Sequence, residues 1–133
     1  MQFHVADAHC DYLFGAMDYG WTIDTQKRNQ TITLENLKKG GVALQFLAAW
    51  ADTKLRVPPL EQVLIMIDRY HSMLETHPEF VKLSKDFDPA SGKIATVLAV
   101  EGAGANKKAS VKFDTEGTKM LMLKFAKLSI LRE

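Results

Sequence analysis

An α/β fold organised on a parallel sheet is what the sequence predicts, on three observations. Residues 3–6, 42–50 and 93–100 are short, nearly continuous apolar runs, the pattern of strands buried on both faces rather than half-exposed. Helical segments lie between them, as the crossovers between parallel strands require. Polar side chains gather at the ends of the first and third runs, at Asp7, His9, Asp11 and Glu101.

The first run ends at Asp7 and is expected as a buried strand that delivers those polar groups at its C-terminal end. Residues 17–30 have no sustained period and many turn-forming residues, which predicts a surface loop placed to cover the site. Thr33 is positioned to cap a short helix through Leu34, Leu37 and Lys38. Gly40-Gly41 should stop it, since glycine tolerates the left-handed backbone that commonly follows a helix end. The second strand follows directly. Pro58-Pro59 then opens a helix in which Leu60, Val63, Leu64, Ile67, Tyr70 and Leu74 recur at three- and four-residue intervals, predicting that face as the buried one. A polar connection leads to the third strand, which ends at Glu101-Gly102-Ala103-Gly104.

Three strands separated by helices suit part of an eight-stranded (β/α)8 TIM barrel. A complete barrel takes at least about 200 residues, so this chain is expected to hold only the first three strands or so of one.

Its 133 residues are enough for one hydrophobic core, and 47% hydrophobic with 25% charged residues is the balance of a soluble globular protein. The longest apolar stretch, residues 42–51, is interrupted by Gln45 and falls short of the roughly 20 residues that span a bilayer. Cys10 is the only cysteine, so no intramolecular disulfide can form. With no secretion signal at the N-terminus, these features predict a cytoplasmic protein without a membrane partner. The net charge of +1 gives no reason to expect nucleic acid. Charge is unevenly spread, however: residues 1–105 carry 10 basic against 13 acidic side chains, and residues 106–133 carry 7 against 3. A boundary near Ala105 is therefore expected, with a basic C-terminal segment at 106–133 that is helical in part, around residues 120–128.

Side chains at i and i+2 of a strand point the same way, so His9 and Asp11 can converge on one ion while Cys10 points elsewhere. Imidazole nitrogen and carboxylate oxygen are ordinary zinc ligands. The competing reading is a hydrogen-bonded His9–Asp11 pair closing the strand, with Asp11 capping a helix near Tyr12 and Glu101 a solvated carboxylate at a turn. The metal reading gains from conjunction, because all three residues fall at C-terminal strand ends, where barrel active sites lie. Two metals about 3.5–4 Å apart would activate a water for attack on a peptide carbonyl and steady the oxyanion.

Three blocks in this order resemble the renal or membrane dipeptidases, zinc peptidases of family M19 related to the amidohydrolases. They are Val5-Ala6-Asp7-Ala8-His9-Cys10-Asp11, Leu37-Lys38-Lys39-Gly40-Gly41-Val42-Ala43-Leu44-Gln45-Phe46, and Gly92-Lys93-Ile94-Ala95 leading to Val100-Glu101-Gly102. The resemblance covers about residues 3–105. It implies hydrolysis of dipeptides, often with a D-residue at the C-terminal position, by zinc-activated water. His9 and Asp11 would ligate one zinc, Glu101 would bridge two, and Asp7 would orient the ligands from behind them. It also implies two further histidine ligands, a histidine and an arginine that handle substrate, and a late aspartate, none of which has a matching position here. The chain alone is accordingly expected to have little or no activity. The alternative is a non-catalytic remnant that self-associates through its unfinished barrel, a homo-oligomer rather than an enzyme.

Other residues carry weaker expectations. A Cys10 thiolate beside His9 lacks a third group to orient it. Trp21, Phe46 and Trp50 are candidates to line a pocket, but the two on the predicted strand, Phe46 and Trp50, are expected in the core first. Gly102-Ala103-Gly104 reads as a plain turn rather than a phosphate loop, and His71 and His77 have no spacing that nominates them as ligands.

Overall fold

The computed structural model describes residues 4–101 of the chain. The expected helix near residues 120–128, the basic segment 106–133 and the turn at Gly102-Ala103-Gly104 lie outside the described residues.

A four-stranded sheet, all of its pairs parallel, forms the centre of the fold. Strand β1 spans Val5–Asp7, β2 Val42–Ala49, β3 Phe80–Lys82 and β4 Ile94–Val100, in the spatial order β1-β2-β4-β3. Helices α1 (Tyr12–Asp18), α2 (Leu34–Lys39) and α3 (Pro59–Thr76) connect them, with a single 3-10 turn at Pro89–Ser91 before β4. The α/β class expected from the apolar runs is what forms.

The principal pairing, β2 against β4, runs from Leu44↔Ala95 to Ala49↔Val100 without a break. All seven residues of β4 are buried, as its unbroken apolar run requires. Leu47, Ala49, Ile94, Leu98 and Val100 join Leu13, Phe14, Met66, Tyr70 and Met73 in one core, so α1 and α3 cover the same face of the sheet. A buried hydrogen bond of 2.9 Å between the Tyr70 and Thr96 hydroxyls ties α3 to β4.

Helix α2 follows its sequence signals closely. The Thr33 side chain accepts a hydrogen bond from Asn36 N at 3.2 Å, and Gly41, at φ 67°, takes the left-handed position after the helix.

Five details depart from expectation, the last of them in α3. The sheet has a fourth strand: β3 occupies part of the stretch read as a polar connection, and its three residues are too few to show a period. Strand β1 is not buried; Val5 is 42% exposed, because β1 lies at the sheet edge with β2 as its single partner among the described residues. Met17 and Asp18 belong to α1 rather than to a loop. The loop after it does not cover the strand ends where function was expected: Asp24 Oδ1 meets His77 Nε2 at 2.9 Å just beyond the C-terminus of α3, beside the start of β3.

Helix α3 begins at Pro59 as expected, and Val63, Ile67, Tyr70 and Leu74 of the predicted face lie in or against the core, but the most buried face is rotated by about a quarter turn from it. Its buried side chains are Gln62, Met66, Tyr70 and Met73, whereas Leu60 and Leu64 are 72% and 56% exposed. Gln62 explains the difference. Its Nε2 donates to Asp52 O (2.9 Å) and Val57 O (2.7 Å), and its Oε1 accepts from Asp52 N (3.0 Å), so a fully satisfied amide closes the preceding loop from a buried position. A count of apolar residues alone passes over such a position.

Among the described residues no helix is long and apolar enough to cross a membrane.

Candidate metal centre

The C-terminal end of β1 is shaped by an irregularity in its ladder with β2. Asp7 lies opposite Gln45, but pairing resumes only at Cys10, whose N donates to Phe46 O (3.1 Å) and whose O accepts from Ala48 N (3.0 Å). Ala8 and His9 therefore stand together opposite Phe46, a one-residue bulge. Bulges change which face a side chain takes. By simple alternation Asp7, His9 and Asp11 would share one face, and Asp7 shares that of Gln45, whose side chain it meets. The extra residue instead brings Cys10 level with Leu47, into the helix-covered core, and turns His9 and Asp11 the other way.

Cys10 is 7% exposed, and burial, reinforced by the nearby Asp7 and Asp11 carboxylates, pushes its thiol up to about 12. It stays protonated at neutral pH, which removes the thiolate alternative.

Glu101 arrives from the other side. Its N donates to Ala49 O at 3.0 Å, continuing the β2–β4 ladder by one step past Val100. Val100 faces the helices, so Glu101 emerges on the opposite side, where His9 and Asp11 also stand.

The three residues are brought together. One ligand atom from each of His9, Asp11 and Glu101 lies within 4.8 Å of the others, and all three are exposed. His9 Nε2 and Asp11 Oδ1 are 3.1 Å apart. They are hydrogen-bonded to each other, as in the competing reading. Two donors on one zinc at about 2.0–2.2 Å stand roughly 3–3.5 Å apart in near-tetrahedral geometry, so the same spacing also suits a shared ion that replaces the hydrogen bond. Asp11 occupies the position before α1 but makes no side-chain cap, which leaves its carboxylate to the cluster. The donor set, one imidazole and two carboxylates, fits zinc.

Asp7 sits outside the cluster, with both oxygens engaged. Its Oδ1 accepts from His9 N (3.3 Å) and its Oδ2 from Gln45 Nε2 (2.9 Å).

A family model described as membrane dipeptidase, peptidase family M19, matches residues 1–124. The chain belongs to that family. No individually curated protein matches it.

Within this M19 chain, the remaining histidines and aromatics take other roles. His77 pairs with Asp24, and His71 packs edge-on to the Tyr70 ring at 5.5 Å. Trp21 and Trp50 pack against the core, Trp50 stacked on Phe14 at 4.4 Å, while Phe46 is half-buried on the other face of β2. Sequence reasoning passed over Gln45 as a site residue, naming it only as an interruption of the longest apolar stretch and as part of the second family block. The available signal was that it alone breaks the apolar run 42–50.

Proposed function

We propose that this chain is the metal-binding portion of a zinc-dependent dipeptidase, the opening strands of a TIM barrel whose C-terminal strand ends carry the site. One observation carries the reading: ligand atoms of His9, Asp11 and Glu101, from strand ends far apart in sequence, converge within 4.8 Å on the side of the sheet away from its helices. His9 and Asp11 would hold one zinc, and Glu101, with two carboxylate oxygens, would reach a second. Asp7 holds the His9 backbone from behind, fixing the direction of the imidazole. When bound, zinc supplies Lewis acidity and a nucleophile from water at neutral pH. Membership of family M19 supports dipeptides as the substrate class.

The purified chain is expected to bind zinc without hydrolysing dipeptides, since three ligands leave a second ion poorly held. A chelator-sensitive dipeptidase rate from the chain alone would contradict this.

A second reading, self-association of a non-catalytic remnant, draws on the exposed β1 edge at Val5 and the exposed Leu60 and Leu64 of α3. Size-exclusion chromatography separates the two: a monodisperse monomer contradicts self-association.

A further inference from the structure

We infer that Gln45 is a positioning residue for the metal ligands, acting through Asp7 on the bulge that turns His9 toward the ion. The inference rests on the metal-site reading above and adds the device that sets the ligand direction.

Gln45 is 1% exposed in the face of β2 covered by the helices. Its orientation is fixed, because both partners of its nitrogen, Asp7 Oδ2 at 2.9 Å and Phe46 O at 3.1 Å, are acceptors. Phe46 O is also the carbonyl to which Cys10 N donates, at the point where the ladder resumes. One amide group thus bridges the last paired residue before the bulge and the carbonyl that closes it. Asp7 completes the link by accepting from His9 N inside the bulge.

Packing alone does not account for this residue. Among the described residues Gln45 Oε1 is buried with no hydrogen-bond partner, a desolvation cost that leucine at this position would avoid. Gln62 offers a contrast, since every polar atom of its buried amide is used. The Gln45 amide is retained for the hydrogen bonds of its nitrogen, and those lead to the ligand loop. If the bulge relaxed to regular alternation, His9 would return to the face of Asp7 and leave Glu101 across the sheet.

The test uses the full 133-residue chain, cobalt(II) as the probe, and the variants Gln45→Leu, Asp7→Ala and the double variant. Substitutions behind metal ligands typically cost 10–100-fold in affinity, so Gln45→Leu is expected to weaken cobalt binding roughly tenfold. If Gln45 acts through Asp7, the double variant binds no more weakly than Asp7→Ala. Unchanged affinity in Gln45→Leu, or losses that multiply in the double variant, would overturn the inference. A metal-free readout keeps it separate from the metal reading. Amide exchange at His9 should quicken in Gln45→Leu while that of Ala95 in the central ladder does not. If the wild-type chain binds no cobalt, the metal reading fails and this exchange decides the positioning role: faster exchange at His9 alone upholds it, and unchanged exchange overturns it.

Discussion

At the scale of single residues, the candidate site is an arrangement that stability does not require. His9 and Asp11 are 38% and 53% exposed in their side chains, and a hydrogen-bonded pair so open contributes at most about 1 kcal/mol. His9→Ala is therefore expected to leave the unfolding free energy within about 0.5 kcal/mol of wild type. It should nevertheless weaken zinc binding by more than the roughly tenfold expected of a change behind the ligands. Chemical denaturation and calorimetric titration of one preparation check both. Tyr70 is the opposite case. Burial raises its phenol above the ordinary value of 10, against a smaller opposing effect of the Thr96 hydrogen bond. A raised folded-state value means the unfolded chain gives up this proton first, so the contribution is fully present below pH 10 and is lost as pH rises beyond it. Tyr70→Phe should flatten the fall in stability above pH 10, seen in denaturation midpoints across that range. The cluster of His9, Asp11 and Glu101 was legible in sequence because residue type and strand end coincided. Gln45 was not, since its meaning depends on what stands across the ladder.

At the scale of elements, the sequence was legible where the signal was local. Thr33 and the Gly40-Gly41 pair delimit α2 by hydrogen bonding and backbone conformation within a few residues, and both act as expected. Thr33→Ala should cost about 1 kcal/mol, as loss of an N-cap does. The rotation of α3 was hidden because Gln62 is buried by its bonds to the loop at Asp52 and Val57 rather than by apolarity. Two substitutions measure that rotation. Met66→Ala should cost about 2–5 kcal/mol, whereas Leu64→Lys should stay within about 0.5 kcal/mol; equal costs would put the helix back on its apolar-pattern face. The bulge was equally invisible, because one extra residue in a ladder leaves no mark on composition. It nevertheless preserves the convergence of His9 and Asp11 while removing Asp7 from their face. Helix α1 has its own constraint at Gly15, where a Cβ would overlap the Trp21 ring. Gly15→Ala should destabilise by about 1–3 kcal/mol through overpacking, measurable by thermal unfolding.

At the scale of the molecule, parallel strands read from apolar runs led to the correct fold class, and membership of family M19 agrees with the three sequence blocks. The number of strands was not legible, because β3 is three residues long and is defined by its partner in β4 rather than by its own pattern. The exposure of β1 was not legible either: burial on both faces is set by neighbours, and β1 has one among the described residues. What this architecture contributes to function is a sheet whose C-terminal strand ends bring His9 and Asp11 near Glu101, with Asp7 behind them. Glu101 is the most telling of them, standing one residue past β4 and joined to the first motif only by the fold. Calorimetric titration of zinc into the wild-type chain and into Glu101→Gln tests that convergence most directly. The account predicts zinc binding by the wild type, weakened at least tenfold in Glu101→Gln without loss of fold; equal binding by the two proteins, or none by the wild type, would contradict it.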